Sequence, residues 1–319
     1  MVSILDTGAV GGEDCTAAIQ AAIDIPGPHE VTIPGSPLPY CTSAPLVLAP
    51  GVSLVGEGRT ASVVAVGHPG DGVVMSSPLG GSTPVDCTVR DLGLTCTVSG
   101  STGAAIHDSA GTYWLISDVE VGSGFAQAVR LNQSECVDIV RLRASGALAA
   151  GIWLENSGWL TNVIRIQSCT LLADRPGTVG VLDDGGACHT IADCNVEGFD
   201  VGVQVAWSNL LISGGDFECA NHALAMSETN STGATGGPVT RVAIVNASLG
   251  ASTSAPINGC AYGHLALTNV GFATGATDPH AVCNAGGLAS LSSVNSHFFG
   301  PMPLVDVAPP VFSSFGDGA

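Results

Sequence analysis

A six-residue motif recurs nine times between residues 89 and 296. It reads apolar, any, small polar, apolar, any, apolar, and its copies begin at Val89, Ile116, Ile139, Ile166, Ile191, Ile212, Ile244, Leu267 and Leu291. A repeat of about 25 residues is typical of solenoid proteins. Because the motif alternates like a strand and is broken by a turn residue, each copy predicts one coil of a β-solenoid.

A second motif follows the first within each regular coil and reads small, apolar, any, usually apolar. Ala128–Leu131 and Gly151–Leu154 are two of its copies. Since the first motif bends in its middle, the two motifs predict three short strands in each coil. Stacked coils then form three parallel sheets in which backbone groups pair with the coils above and below. The predicted fold is therefore an all-β, three-sheet solenoid with about nine regular coils.

The third position of the first motif is occupied mainly by Asp, Asn, Gly and Ser. These residue types favour a left-handed backbone or a side-chain hydrogen bond to the backbone at a turn. Asp91, Asp118 and Asp193 occupy this position, so we interpret them as turn residues and not as catalysts.

The ends of the chain differ from the repeats. Residues 1–45 form an N-terminal segment in which Asp14 is expected to cap a helix that ends near Asp24. Such a helix can cover the open end of a solenoid. The regular solenoid is expected over residues 46–299. Residues 300–319 lose the period, carry four prolines and are expected to be an irregular tail.

Charge limits the choice of partners. The net charge is −19, and all eight basic residues are arginine. Such a surface is expected to repel nucleic acid and anionic membranes, and the absence of lysine excludes a Schiff base. No apolar run reaches the length of a membrane span, and the first residues do not read as a signal peptide. The cysteine count is 11, and Cys169 and Cys194 fill the same slot of successive coils, where small apolar packing is favoured over a disulfide.

The first 60 residues resemble the N-terminal segment of the pectate-lyase superfamily, and in particular of the branch that includes phage tailspikes. The residues that carry the resemblance are Asp6–Ala9, Asp14–Asp24, Val31–Pro34 with Tyr40, and Gly51–Gly58. The resemblance implies a right-handed, single-stranded parallel β-helix directed at a polysaccharide. It also implies an extracellular or virion-associated protein, and phage-tail members are often homotrimers. It does not fix the reaction, because the superfamily holds lyases, hydrolases, epimerases and binders.

Aligning the second motif predicts two outward columns with side chains about 4.8 Å apart along the axis. The first column contains His107, Arg130, Trp153, Leu182 and Gln204, and the second contains Ser109, Asn132, Glu155, Asp184 and Ala206, with Asp183 and Trp207 beside it. Glu155 and Asp184 thus fall on neighbouring coils. Two close carboxyl groups can divide their roles, one acting as an acid while the other stays ionised.

These columns predict a glycoside hydrolase with Glu155, Asp184 and Asp183 as the catalytic acids. A carboxyl separation of about 5 Å would suit a retaining enzyme and a longer one an inverting enzyme. Trp153 and Trp207 would stack on sugar rings. The predicted substrate-binding residues are Arg130, Trp153, Gln204, Trp207, Asn132 and His107. His189 and His264 are expected to share one slot of different coils and to be structural.

Two alternatives remain open at this point. In the first, the same groove belongs to a virion or surface adhesin that binds glycans without cleaving them. In the second, the protein is a polysaccharide lyase in which Arg130 acts near Asp183, Asp184 and Glu155. No cofactor is expected for a hydrolase, whereas a lyase often uses Ca²⁺ held by carboxylates. The sequence contains no clear calcium motif.

Overall fold

The computed structural model describes residues 1–76, 86–146, 149–156, 161–173, 177–230, 239–274, 280–298, 304–306 and 311–315. Within these ranges the chain forms one α-helix, Thr16–Ile23, two 3₁₀ turns, Ile4–Thr7 and Ala285–Gly287, and short β-strands. The strands belong to three sheets, here called A, B and C, in which neighbouring strands are parallel.

The chain divides into two compact units. The N-terminal unit contains Met1–Trp153 and Ser157–Arg165, and the C-terminal unit contains Leu154–Asn156 and Ile166–Ala319. The boundary falls within the strands Ala150–Glu155 of sheet C and Thr161–Gln167 of sheet A.

Each coil of the N-terminal unit contributes to the three sheets in turn. Sheet A contains Val2–Ser3, His29–Ile33, Val52–Gly56, Thr88–Arg90, Thr112–Ser117 and Glu135–Val140. Sheet B contains Tyr40–Thr42, Val63–Val66, Gly93–Cys96, Glu120–Val121 and Arg143–Ser145. Sheet C contains Leu46–Leu48, Val73–Ser76, Ala104–Ser109 and Gln127–Asn132.

The C-terminal unit repeats the same order of strands. Sheet A contains Gly186–Ala192, Ser208–Ser213, Arg241–Val245, His264–Thr268, Ser290–Val294 and Phe312–Phe315. Sheet B contains Thr170–Leu172, Asn195–Glu197, Asp216–Cys219, Ser248–Ala251, Gly271–Thr274 and His297–Phe298. Sheet C contains Val179–Asp183, Val201–Ala206, His222–Ser227, Ile257–Asn258 and Val282–Cys283.

The core of each unit consists of inward side chains, most of them aliphatic, that stack on inward side chains of the next coil. Ile106 pairs with Val129 and Ile116 with Ile139, and all four are fully buried. Burying apolar side chains in this way is the main favourable term in folding. The predicted all-β solenoid with three parallel sheets is confirmed.

The bend between sheets A and B has the predicted left-handed backbone. Asp91, Asp118 and Asp193 have φ between 52° and 57°. Asn246 and Asn269 continue the series, and the Asn269 side-chain amide donates a hydrogen bond of 3.0 Å to the Asn246 side-chain oxygen. The side chains and backbone at these positions shape the turn, as the residue types predicted.

The ninth copy of the motif was placed two residues too early. Ser293 pairs with Leu267, so this copy begins at Ser293 and not at Leu291. Its left-handed residue is accordingly Asn295, with φ of 53°. The prediction was wrong because Ser293 is fully buried where the other copies carry an apolar residue, so the apolar pattern aligned on the wrong position.

The N-terminal helix covers Thr16–Ile23, and Ile19 and Ile23 are fully buried. The Asp14 carboxylate accepts hydrogen bonds from the Thr16 backbone N–H and from the hydroxyls of Thr16 and Ser43. The hydrogen bonds from Ser43 and Thr16 lower the pKa of Asp14 to about 2. The N-cap residue is Cys15, which makes no side-chain cap hydrogen bond, so the prediction that Asp14 caps the helix is wrong by one position; Asp14 bonds to the first turn from the residue before the cap.

Most of the expected tail at 300–319 lies outside the described residues. Among the helices that are described, none is long and apolar enough to cross a membrane. The eleven cysteines, all within the described residues, form no disulfide, and the Cys169 backbone N–H donates a hydrogen bond of 3.4 Å to the Cys194 sulfur on the neighbouring coil.

Candidate functional site

In the N-terminal unit, sheet C brings three predicted binding residues into one column. His107 pairs with Arg130 across the strands Ala104–Ser109 and Gln127–Asn132. The Arg130 guanidinium carbon lies 4.7 Å from the centre of the Trp153 ring, within the range of a cation–π contact. Ser109 pairs with Asn132 in the second predicted column. The predicted register is therefore correct in this unit.

His107 is oriented by an acidic residue that the sequence analysis did not single out. Its Nδ1 lies 2.8 Å from Asp71 Oδ2, and Asp71 Oδ1 accepts a 2.7 Å hydrogen bond from the Ala104 N–H. Burial raises the pKa of Asp71, but the hydrogen bonds from His107 and Ala104 and the charge of Arg130 outweigh it and leave that pKa lowered. An imidazole held at Nδ1 by a carboxylate directs Nε2 toward its other neighbours. The His107 Nε2 itself is buried and has no hydrogen-bond partner among the described residues.

In the C-terminal unit, Glu155 and Asp184 lie side by side. The Asp184 N–H donates a 3.0 Å hydrogen bond to the Leu154 carbonyl. In a parallel pair this bond sets Asp184 opposite Glu155. Both residues are buried, with 8% of Glu155 and 1% of Asp184 exposed. The two residues are therefore opposite each other on adjacent coils, and both are buried, whereas the aligned motif placed them on an outward face.

Asp183 points inward and engages His189. The Asp183 Oδ2 lies 3.0 Å from His189 Nδ1, and its Oδ1 accepts a hydrogen bond from the Gly185 N–H. Only 1% of Asp183 and 2% of His189 is exposed. His189 pairs in register with Leu210, and Leu210 pairs with Val242 on the next strand. His264 pairs with Arg241, which is the residue before Val242. The expectation that the two histidines share a slot is therefore wrong, because their parity on sheet A differs.

The sharp turn at Gly185, directly after Asp184, packs against Trp207. Gly185 has φ of +134°, and a Cβ at this position would lie 2.9 Å from the Asn156 amide nitrogen and 3.6 Å from the Trp207 Cβ. Only glycine adopts such a backbone without strain. The turn after Asp184 therefore packs against Trp207 and the residue that follows Glu155.

Trp207 is fixed by hydrogen bonds at both ends. Its backbone N–H donates to the Thr240 hydroxyl over 2.8 Å, and its indole N–H donates to the Glu228 carbonyl over 3.0 Å. Gln204 lies three residues earlier on the outward side of sheet C, in register with Leu182 and Ala225. The half-exposed indole thus offers a rigid flat face of the kind that sugars stack on.

A polar groove of about 640 Å³ lies in the same unit and is lined in part by Glu228, whose carbonyl accepts the hydrogen bond from the Trp207 indole. Its lining includes Glu228, Asn258, Asn284 and Asp306. The Asn284 side-chain amide donates to Asn258, and the Asp306 carboxylate accepts from the Asn284 backbone N–H. A groove with carboxylate, amide and carbonyl groups suits a ligand rich in hydroxyls.

A further acid missed by the sequence analysis is buried within the N-terminal unit. Asp108 is fully buried on the inward side of sheet C, and its Oδ2 accepts hydrogen bonds from the Ser134 hydroxyl and the Gly111 N–H. Burial raises the pKa of Asp108 to about 6, although these hydrogen bonds oppose the increase. Asp108 is therefore protonated in mildly acidic solution when the protein is folded.

We expect Asp108 to lower the free energy of unfolding as the pH rises from 4 to 6. The unfolded carboxyl ionises near pH 3.8 and the folded one near pH 6, so the unfolded state gains charge first as the pH rises. A rise of about two pKa units corresponds to a loss of about 3 kcal/mol in the free energy of unfolding. Urea unfolding from pH 3.5 to pH 7.5 measures this loss. Asp108→Asn should flatten this part of the curve, and an unchanged pH dependence in that variant would contradict the assignment.

Among the described residues, no group of three or more His, Cys, Asp or Glu side chains is arranged to hold a metal ion. Ca²⁺ binding stays a prediction, and it belongs only to the lyase alternative.

No protein-family model matches the chain, and no curated protein is similar to it in sequence. Solved structures are similar to it in fold. The A-module of mannuronan C-5 epimerase AlgE4 from Azotobacter vinelandii has a TM-score of 0.75 at 18% identity and covers 99% of this chain and 100% of its own. These values establish the fold, and the predicted right-handed parallel β-helix is confirmed.

Two further structures are similar over most of the chain. The catalytic unit of a GH87 alpha-1,3-glucanase from Streptomyces thermodiastaticus has a TM-score of 0.74 at 13% identity and covers 99% of this chain and 68% of its own. PfbA, a surface adhesin of Streptococcus pneumoniae, has a TM-score of 0.71 at 14% identity, with 93% and 86% covered. The fold is thus shared by two enzymes and an adhesin, so the choice of function depends on the site residues.

Proposed function

We propose that this protein binds a polysaccharide and hydrolyses its glycosidic bonds. The observation that carries the proposal is the hydrogen bond from the Asp184 N–H to the Leu154 carbonyl, because it sets Asp184 opposite Glu155 on the neighbouring coil. One carboxyl group protonates the glycosidic oxygen, and the other activates water or attacks the anomeric carbon.

The surroundings of the pair support this chemistry. Asp184 is almost fully buried, so water competes little with its hydrogen bonds. Asp183 accepts a hydrogen bond from the Gly185 N–H and contacts His189 through its other carboxylate oxygen. These two contacts hold the backbone of the turn that follows Asp184. In this proposal Asp183 is a positioning residue, whereas Glu155 and Asp184 are the catalytic residues.

Trp207 and the polar groove provide the binding surface. The indole plane is anchored through Glu228, and the groove beyond it offers Asn258, Asn284 and Asp306 to sugar hydroxyls. The sequence-predicted residues Gln204, Asn132 and His107 contribute further polar groups on sheet C of their respective units.

Product analysis tests the proposal. The purified chain is incubated with alpha-1,3-glucan, alginate and a set of bacterial capsular polysaccharides, and new reducing ends, chain length and absorbance near 235 nm are followed. We expect shortened chains with new reducing ends and no new absorbance. Saturable binding to a glycan without turnover would overturn hydrolysis and favour an adhesin. The same proposal places the protein outside the cell or on a virion, and light scattering tests the trimer that the phage branch implies.

A second candidate function is elimination at a uronic acid. The observation that favours it is the Asp71–His107 pair with Arg130 in the next position of the column. Arg130 can hold a substrate carboxylate, and His107 can remove the proton next to it. This reaction would leave an unsaturated product that absorbs near 235 nm.

We expect Arg130→Gln to separate the two candidates. If Arg130 holds a uronate, the KM for alginate should rise about tenfold, because one charge-assisted hydrogen bond contributes roughly 1.5–3 kcal/mol. The KM for a neutral glucan should stay unchanged. Arg143→Gln, which removes an exposed arginine from sheet B of the same unit, is the matched control. An equal change for both glycans would exclude recognition of a carboxylate by Arg130.

A further inference from the structure

A second groove lies on sheet A of the C-terminal unit, away from the sheet C residues described above. It encloses about 560 Å³, within the range of roughly 300–1,000 Å³ that small-molecule sites occupy. Its lining comes from five neighbouring strands, and Leu211, Ala243 and Ala266 provide an apolar stripe along it. Leu211 is 39% exposed, which is unusual for a large aliphatic side chain at the centre of a strand.

A polar row runs beside the apolar stripe. Asn209 pairs with Arg241, Arg241 with His264, and His264 with Ser290. Since residues in register project from the same side of a sheet, these side chains stand about 4.8 Å apart in one line. The Ser290 hydroxyl lies 2.6 Å from His264 Nδ1 and orients the ring. The row is therefore rich in hydrogen-bond donors.

The groove carries a basic side chain, whereas the protein as a whole is strongly acidic. The chain has 27 acidic and 8 basic residues, yet no acidic residue is found among the described residues that line the groove. Arg241 is the one arginine among the described residues of the C-terminal unit. It is exposed, and none of the described ion pairs involves it. An arginine in this setting is available to hold an anion.

We propose that this groove binds a small organic carboxylate with an apolar body. The carboxylate is held by Arg241 with Asn209 and His264, and the apolar body lies on Leu211, Ala243 and Ala266. A polysaccharide fits this surface poorly, because sugar rings need aromatic faces and many polar partners. The ligand is therefore distinct from the glycan proposed for sheet C, and the two sites can be tested separately.

Saturation-transfer NMR with sodium octanoate below its micelle concentration tests the proposal. We expect saturable binding to the full chain, with transfer strongest along the alkyl chain. The neutral amphiphile octyl β-glucoside should bind at least about tenfold more weakly, because it lacks the charge-assisted hydrogen bonds. Arg241→Gln should weaken octanoate binding about tenfold for the same reason.

Leu211→Asp should abolish octanoate binding, because it places a carboxylate within the groove. Two matched variants serve as controls. Arg143→Gln removes an exposed arginine elsewhere, and Leu172→Asp changes an exposed leucine on sheet B. Circular dichroism confirms that each variant is folded. The proposal is overturned if octanoate does not saturate, if octyl β-glucoside binds equally well, or if Arg143→Gln has the same effect as Arg241→Gln.

Discussion

Glu155→Gln and Asp184→Asn are each expected to lower the rate of glycan cleavage by about 10² to 10⁴-fold, the usual contribution of a positioned acid or base. Both amides keep the volume of the native side chain, so the packing of these buried positions is retained. Glycan binding should change little, because Trp207 and the polar groove are untouched. Reducing-end assays at saturating glycan measure the rate, and affinity electrophoresis measures binding.

The matched control for this prediction is Glu218→Gln. Glu218 is an exposed carboxylate on sheet B of the same unit, and its replacement should leave the rate unchanged. Sodium azide distinguishes the roles of the two acids, since a small anion can replace a lost nucleophile or base but cannot replace a proton donor. Full activity in both amide variants would exclude the pair as the catalytic residues, whatever the protein's substrate.

The repeat predicted the register of the site well. Placing Arg130 beside His107 and Asp184 beside Glu155 needed only the alignment of the second motif, because parallel coils keep one spacing across many strands. The left-handed bends at Asp91 and Asp118 followed from residue type alone. Local patterns of this kind survive in the structure because each coil repeats the same backbone path.

The partners of the site residues were harder to predict. Asp71 lies in the irregular early coils, where no motif fixed its position relative to His107. His189 could have been found by parity: Leu182 faces outward, so Asp183 faces inward, and a buried carboxylate needs a partner. The buried acid Asp108 occupies the inward position after His107 and could have been found in the same way. Burial of Glu155 and Asp184 depends on side-chain packing that one aligned motif does not contain.

The second large effect is expected at the buried Asp183–His189 pair and concerns the free energy of unfolding. We expect His189→Phe to lower the free energy of unfolding by about 3–5 kcal/mol, because it leaves the buried Asp183 carboxylate without its partner. Only 1% of Asp183 and 2% of His189 is exposed, so water cannot replace the lost contact. Urea unfolding at neutral pH, with the midpoint and slope compared, measures the change.

The double variant Asp183→Leu/His189→Phe separates the pair from simple packing. Removing both partners should recover most of the loss, since replacing both members of a buried polar pair by apolar residues is often nearly neutral. His264→Phe is the matched control, because its imidazole is half-exposed on the same sheet and bonded to Ser290; its cost should stay below about 1 kcal/mol. If the single and double variants were equally destabilised, the two side chains would not be coupled, and Asp183 would hold the turn through the Gly185 N–H alone.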